Sequence, residues 1–177
     1  MVRAECIGMG CGDKTLGVGA ADNLKGKLSM RQIRRATKED AEAITNLYRE
    51  LNTLSPVSVL PERIDAVANS SNTFLLVCDD SGEIIATALL CLCQDVMFDN
   101  QPFAVIENVV VSANYKREGI GKSMMDYIEA FCLAQDCSKI MLQTSSENRD
   151  AQDFYTAMGY DPNAKIGFIK YRRYFSR

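Results

Sequence analysis

The chain has no histidine among its 177 residues, and this absence excludes more chemistry than any other compositional fact. Without imidazole there is no Ser-His-Asp triad, no Cys-His pair and no histidine-ligated metal. A proton acceptor working near neutral pH must then be a carboxylate, a perturbed Lys, Cys or Tyr, or water. Long apolar runs are also missing: the longest, Ile84 to Cys93, is too short to span a bilayer and reads as a buried strand. Nor is there a basic excess. Lys and Arg number 20 against 23 Asp and Glu, a formal charge of −3, which argues against a general nucleic-acid surface. The seven cysteines include no Cys-x-x-Cys pair. Cys91 and Cys93 alternate on one predicted strand, so they should face one way as packing residues rather than as zinc ligands. Reduced thiols of a cytoplasmic, metal-independent protein are the simplest reading.

What is present falls into two parts. Residues 1–29 hold six glycines and almost no apolar periodicity. They read as an irregular leader, from an upstream start or not native, without the continuous apolar core of a signal peptide. Residues 30–177 have the length of a single domain. A strand is expected from Arg31 to Ala36. Thr37 then caps a helix with Ala41, Ile44, Leu47, Tyr48 and Leu51 on one face, and Asp40 stands at the capping-box position. Ser55 and Pro56 break that helix, and Pro61 opens a shorter one through Ile64 and Val67. Thr73–Cys78, an Asp79–Gly82 turn and Glu83–Cys93 form an expected hairpin. A loop from Gln94 to Pro102 leads to a strand over Ala104–Val111. A helix from Ile120, a strand over Lys139–Thr144, a helix over Ala151–Met158 and a closing strand over Ile166–Tyr171 follow. The order predicts a mixed α/β sheet.

The most informative stretch is Glu107-Asn-Val-Val-Val-Ser-Ala-Asn-Tyr-Lys-Arg-Glu-Gly-Ile-Gly-Lys122. Val109, Val110 and Val111 make a short β-branched strand. Gly119 and Gly121 let the backbone turn tightly and approach a ligand. From Ile120 onward Met124, Ile128, Phe131 and Cys132 recur at helical spacing. Free amides at such a helix start, with the macrodipole, favour a phosphate. A Walker loop would need a glycine at Lys116, and a dinucleotide fingerprint would need one at Met124; both fail.

The remaining pattern, Lys116 to Gly121, resembles the acyl-CoA loop of the GNAT superfamily of N-acetyltransferases, Gln/Arg-x-x-Gly-x-Gly/Ala. Lys116 departs from that consensus, with Arg117 adjacent. A second segment, Asn148-Arg-Asp-Ala151-Gln-Asp-Phe154-Tyr155-Thr-Ala-Met-Gly159-Tyr160, resembles the family's Asn-x-x-Ala-x-x-Phe-Tyr-x-x-x-Gly-Phe, with Tyr160 in the final place. The resemblance implies a mostly antiparallel twisted sheet flanked by helices, the GNAT-like acyl-CoA N-acyltransferase fold. It also implies acetyl-CoA as cosubstrate and direct transfer of acetyl to a primary amine of a small molecule. The alternative is a non-catalytic CoA-binding sensor on the same fold. A homodimeric assembly is compatible with such a domain; a nucleic-acid or membrane partner is not expected.

Candidate roles follow. Glu107 is the candidate base, because strand alternation would put it on the face of Val109. Tyr155 is the candidate acid, because the family uses a tyrosine there to protonate the departing thiolate. The resemblance lays the pantetheine arm along Val109, Val110 and Val111 and its diphosphate on Lys116, Arg117, Glu118, Gly119, Ile120, Gly121, Lys122 and Ser123. Asn148 would bond the cofactor arm or cap the following helix. Three loops are expected to shape the acceptor pocket: Asn52 to Pro61, Gln94 to Pro102 and Asp161 to Gly167. The Glu-Asn-Val-Val-Val strand resembles the Glu-Asp-Val-Val-Val of glucosamine-phosphate acetyltransferases, from which Asn108 departs.

Overall fold

Two apolar helix stripes decide the layering. In the computed structural model, which describes residues 31–53 and 55–176, α1 (Ala41–Leu51) buries Ala41, Ile44 and Leu47. Ala41 and Ile44 meet Ala36, Leu75 and Val77 on one face of the sheet, beside Ile64 of α2 (Pro61–Ala68). On the other face α3 (Ile120–Ala134) buries Ile120, Met124, Met125, Ile128 and Cys132. Each such side chain contributes about 1.5–3 kcal/mol on burial. The sheet between them comprises β1 (Arg31–Arg35), β2 (Thr73–Asp80), β3 (Glu83–Cys93), β4 (Phe103–Val111) and β5 (Ile140–Leu142), in that spatial order. The first four are antiparallel and β5 runs parallel to β4. β2 is covered on both sides, Leu76 and Cys78 toward α3 and Leu75 and Val77 toward α1, so it reads as an unbroken apolar run. α4 (Arg149–Ala157) lays Phe154 and Tyr155 against the α3 side, with Met158 just beyond its end. The expected leader, residues 1–29, lies outside the described residues.

The capping box at Thr37 forms, ahead of a short 3₁₀ turn over Lys38–Asp40. Asp40 accepts the Thr37 amide at 2.7 Å and Arg34 Nη1 and Nη2 at 2.8 and 2.9 Å. Arg34 also reaches Asp79 at 3.0 Å. A carboxylate that must serve both the box and Arg34 explains Asp where Glu is commoner. The β2–β3 turn is tighter than expected: pairing runs to Asp80↔Glu83, leaving Ser81 and Gly82 at φ 55° and 96°, a two-residue loop matched to strand twist.

β4 carries the feature on which the site depends. Thr87 pairs with Val110 and Leu89 with Glu107, so Asn108 and Val109 together oppose Ala88. This is a β-bulge with Asn108 at φ 55°. Ahead of it Ala104 and Ile106 face the α3 core; beyond it Val109 and Val111 do. The side-chain phase therefore flips at Asn108.

Two expected strands change. β5 is confined to Ile140–Leu142 instead of Lys139–Thr144. The closing strand over Ile166–Tyr171 does not form: the segment is irregular, with Ile166 and Phe168 exposed. Two reasons are visible. β5 offers only three residues of ladder, and Arg173 stacks on Tyr171 and Tyr174 at 5.3 and 4.9 Å, a competing local arrangement. Among the described residues no helix is long and apolar enough to cross a membrane.

Candidate active site

The ladder between β4 and β5 ends at Ile106–Leu142, whereas β4 runs on to Val111. Above that point the β4 edge from Glu107 to Val111 has no β5 partner and is open to an extended chain. At its end the backbone turns through Ala113–Tyr115 into the glycine loop and then α3. Arg117 and Gly119 both take positive φ, 66° and 79°. A Cβ at Gly119 would meet nothing within 4 Å, so the loop opens on free space. The first intrahelical bond is Ser123 N–H to Gly119 O at 2.9 Å, which leaves the Ile120, Gly121 and Lys122 amides of the first turn available to an anion.

Carboxylates fasten this loop from behind. Glu50 accepts the Ala113 amide at 2.8 Å, Glu83 accepts the Tyr115 hydroxyl at 2.8 Å, and Glu118 pairs with Arg31. The bond to Glu83 raises the Tyr115 pKa.

The expected cradle residues separate into distinct jobs. Lys116 and Arg117 are exposed beside the loop. Lys122 binds Asp126 at 2.7 Å, one turn along its own helix, and Ser123 spends both amide and hydroxyl on the Gly119 carbonyl. Gly121 packs against α4: a Cβ there would touch the Phe154 ring at 3.4 Å, leaving no room for a larger side chain on that side. Asn148 caps α4, its side-chain oxygen accepting Ala151 N–H at 3.2 Å, which leaves its NH₂ for another acceptor.

The two candidate proton-transfer groups lie on opposite faces of β4. Glu107 is exposed and sits beside Leu89, which packs with the α1 layer. The expectation that it shares a face with Val109 is overturned, because the bulge inserts one residue between them. Glu107 forms no ion pair among the described residues. Tyr155 is half-buried on the α3 side, edge-on to Phe154 and Tyr160 at 5.2 and 5.9 Å. Burial raises its pKa, and raises that of Tyr160 to about 12.

Of the expected acceptor loops, the stretch after α1 borders an open hollow of about 640 Å³ lined by Arg49, Asn52, Thr53, Ser55, Pro56 and Val57. The Gln94–Pro102 loop is tied to the far end of α3. Pro102 O accepts Ser138 N–H at 2.8 Å and Gln101 reaches Asp136, just past the C-terminal end of α3. Sequence reasoning missed Glu50, which fastens the backbone after β4. Only Asn108 carried a signal: an Asn inside a β-branched run tolerates the left-handed region its neighbours would resist.

An unpaired strand edge leading into a glycine loop and a free helix N-terminus defines an acyl-CoA transferase architecture. The profile of the Acetyltransferase (GNAT) family matches residues 38–160, and the chain belongs to that family. An aminoglycoside N(6')-acetyltransferase type 1 of Serratia marcescens is 21% identical over 118 residues, 66% of this chain and 81% of the relative. A putative acetyltransferase from Agrobacterium tumefaciens superposes with a TM-score of 0.73 at 26% identity, over 80% of this chain and 99% of that one. The aminoglycoside N-acetyltransferase AAC(6')-Iy, solved in complex with CoA, gives 0.68 at 19% identity over 81% and 96%. The family uses acetyl-CoA and an amine acceptor. The chain is thus an acetyl-CoA-dependent N-acetyltransferase, and the catalytic reading is supported over the non-catalytic sensor.

Proposed function

We propose that acetyl-CoA lies with its diphosphate on the Ile120–Lys122 amides and its pantetheine arm along the open edge of Val109–Val111. The thioester would then reach the bulge between Glu107 and Tyr155. The observation that carries this reading is the ladder that stops at Ile106–Leu142 while β4 continues to the glycine loop. Added-strand pairing would hold the arm, and a freed amide at the bulge can stabilise the oxyanion.

The amine attacks the thioester carbonyl from the α1 side, the C–S bond breaks, and acetyl passes directly to nitrogen. Glu107, directly or through a water, accepts the ammonium proton, and Tyr155 donates to the departing sulfur. Opposite faces of β4 suit the two tasks, because the incoming amine and the leaving thiolate flank the carbonyl on different sides.

The acceptor is a small primary amine bound beside the hollow after α1. The relative's name makes an aminoglycoside bearing a 6'-amino group the first compound to assay. The five unbridged cysteines among the described residues fit a cytoplasmic protein, and the exposed apolar residues of the C-terminal segment fit a homodimer, testable by sedimentation. Thiol release from acetyl-CoA across an amine panel tests the function as a whole. Turnover with at least one primary amine is expected; no heat of acetyl-CoA binding at millimolar ligand would remove the proposal.

A further inference from the structure

The glycine loop carries a carboxylate of its own. Glu118 directly precedes Gly119 and stands two residues ahead of Ile120, the first residue of α3. Across two peptides its Cα lies within about 8 Å of the Ile120 Cα, a gap its side chain can span. Acidic side chains at a helix start are stabilised by the free amides and the macrodipole. An unrestrained Glu118 would therefore be an internal competitor for the amides a diphosphate needs.

The structure holds that carboxylate elsewhere. Arg31 on β1 is the cross-strand partner of Asp80 on β2, and its Nε donates to Asp80 Oδ2 at 3.2 Å. That bond fixes the guanidinium and leaves Nη2 to bind the Glu118 carboxylate. Beside it the Tyr115 hydroxyl donates to Glu83, so the loop is fastened to the β2–β3 hairpin at a second point. Arg31 and Glu118 keep 32% and 45% of their side-chain surface exposed, and pairs of that kind add little to folding stability. The consequence of this pair lies in the loop, where it keeps Glu118 off the helix start.

Building on the acetyl-transfer reading, we infer that Arg31 is a positioning residue for acetyl-CoA. It holds Glu118 against β1 and so leaves the Ile120, Gly121 and Lys122 amides open to the diphosphate. Arg31 touches no cofactor atom in this scheme and acts only through Glu118.

The test is CoA calorimetry on the parent, Arg31→Gln, Arg31→Lys, Glu118→Ala and the double variant Arg31→Gln/Glu118→Ala, each checked for a native thermal midpoint. Arg31→Gln is expected to weaken CoA binding about fivefold, as when a freed Glu118 occupies the amides about four-fifths of the time. The loss should shrink as salt rises, because salt screens attraction to a helix end. Arg31→Lys keeps the charge and should restore most of the affinity. Glu118→Ala removes the competitor without touching β1 and should bind CoA more tightly than the parent. On that background Arg31→Gln should have little further effect. In the ligand-free protein, Arg31→Gln should also slow amide hydrogen exchange at Ile120, Gly121 and Lys122. A parent that binds no CoA would overturn the acetyl-transfer reading, whereas the exchange measurement judges the hold of Arg31 on Glu118 by itself. Equal losses from Arg31→Gln with and without the Glu118 carboxylate would overturn the inference. So would unchanged affinity and exchange in folded Arg31→Gln, or weaker binding by folded Glu118→Ala.

Discussion

The proposed acid Tyr155 and the proposed base Glu107 are separable by the pH dependence of their variants. A phenol acts as an acid only while protonated, and burial raises the Tyr155 pKa. Its ionisation should therefore limit the rate only above the ordinary tyrosine value of about 10. Tyr155→Phe keeps the packing against Phe154 and Tyr160, so stability and acetyl-CoA affinity should hold. Turnover should fall by roughly 10²-fold, with the alkaline limb lost. If stopped-flow thiol release shows both intact, Tyr155 is a packing residue. Glu107→Gln should instead remove the acid-side limb, where protonation silences a carboxylate base, with a turnover loss of similar order. An unchanged acid limb in this variant would take Glu107 out of the mechanism. The motif placed both residues on the map. Their opposite facings were not legible, because they depend on Asn108 adding one residue to β4.

At the element scale, two glycines of one motif do different work. Gly119 sits at φ 79° with open space where a Cβ would go. Gly119→Val should therefore weaken CoA binding at least tenfold, about 1.4 kcal/mol, with strain of order 1–2 kcal/mol from the left-handed turn. Gly121 lies inside the first turn of α3 with Phe154 against it, so Gly121→Val should chiefly lower the thermal midpoint by overpacking, about 1–3 kcal/mol. Calorimetry with CoA and a melting curve separate them. A Gly119→Val variant that binds as tightly as the parent would count against the cradle. Helix periodicity read α1 and α3 well, because their apolar stripes face a continuous sheet. The closing strand was misread for the complementary reason: alternation shows that a segment can pair, not that a ladder of adequate length awaits it.

For the whole molecule, the cluster of Arg34, Asp40 and Asp79 ties β1, the start of α1 and β2 together. Arg34 is the main cause that holds Asp40 below the ordinary carboxylate pKa. A depressed folded pKa stabilises above the unfolded value, about 3.9, and that contribution is lost as pH falls through the folded value. Asp40→Asn should thus cost about 2 kcal/mol at neutral pH, less than a fully buried pair, because Arg34 keeps 28% of its side-chain surface exposed. The gap between parent and variant should narrow as pH drops below about 4. Urea melts at several pH values check this, and a gap that widens toward acid would refute the assignment.

By itself the sequence determined the family, the order of elements through α4, the helix faces and the glycine turn into α3, because these rest on local spacing, glycine freedom and periodic apolar residues. The tertiary structure decided which face each strand residue presents and which cations remain beside the loop once Lys122 binds Asp126. It also decided that Asn108 forms a bulge opposite Ala88. Those outcomes turn on the register of β3 against β4. A single inserted residue there reverses every facing beyond it, and the register is fixed by contacts among elements distant along the chain.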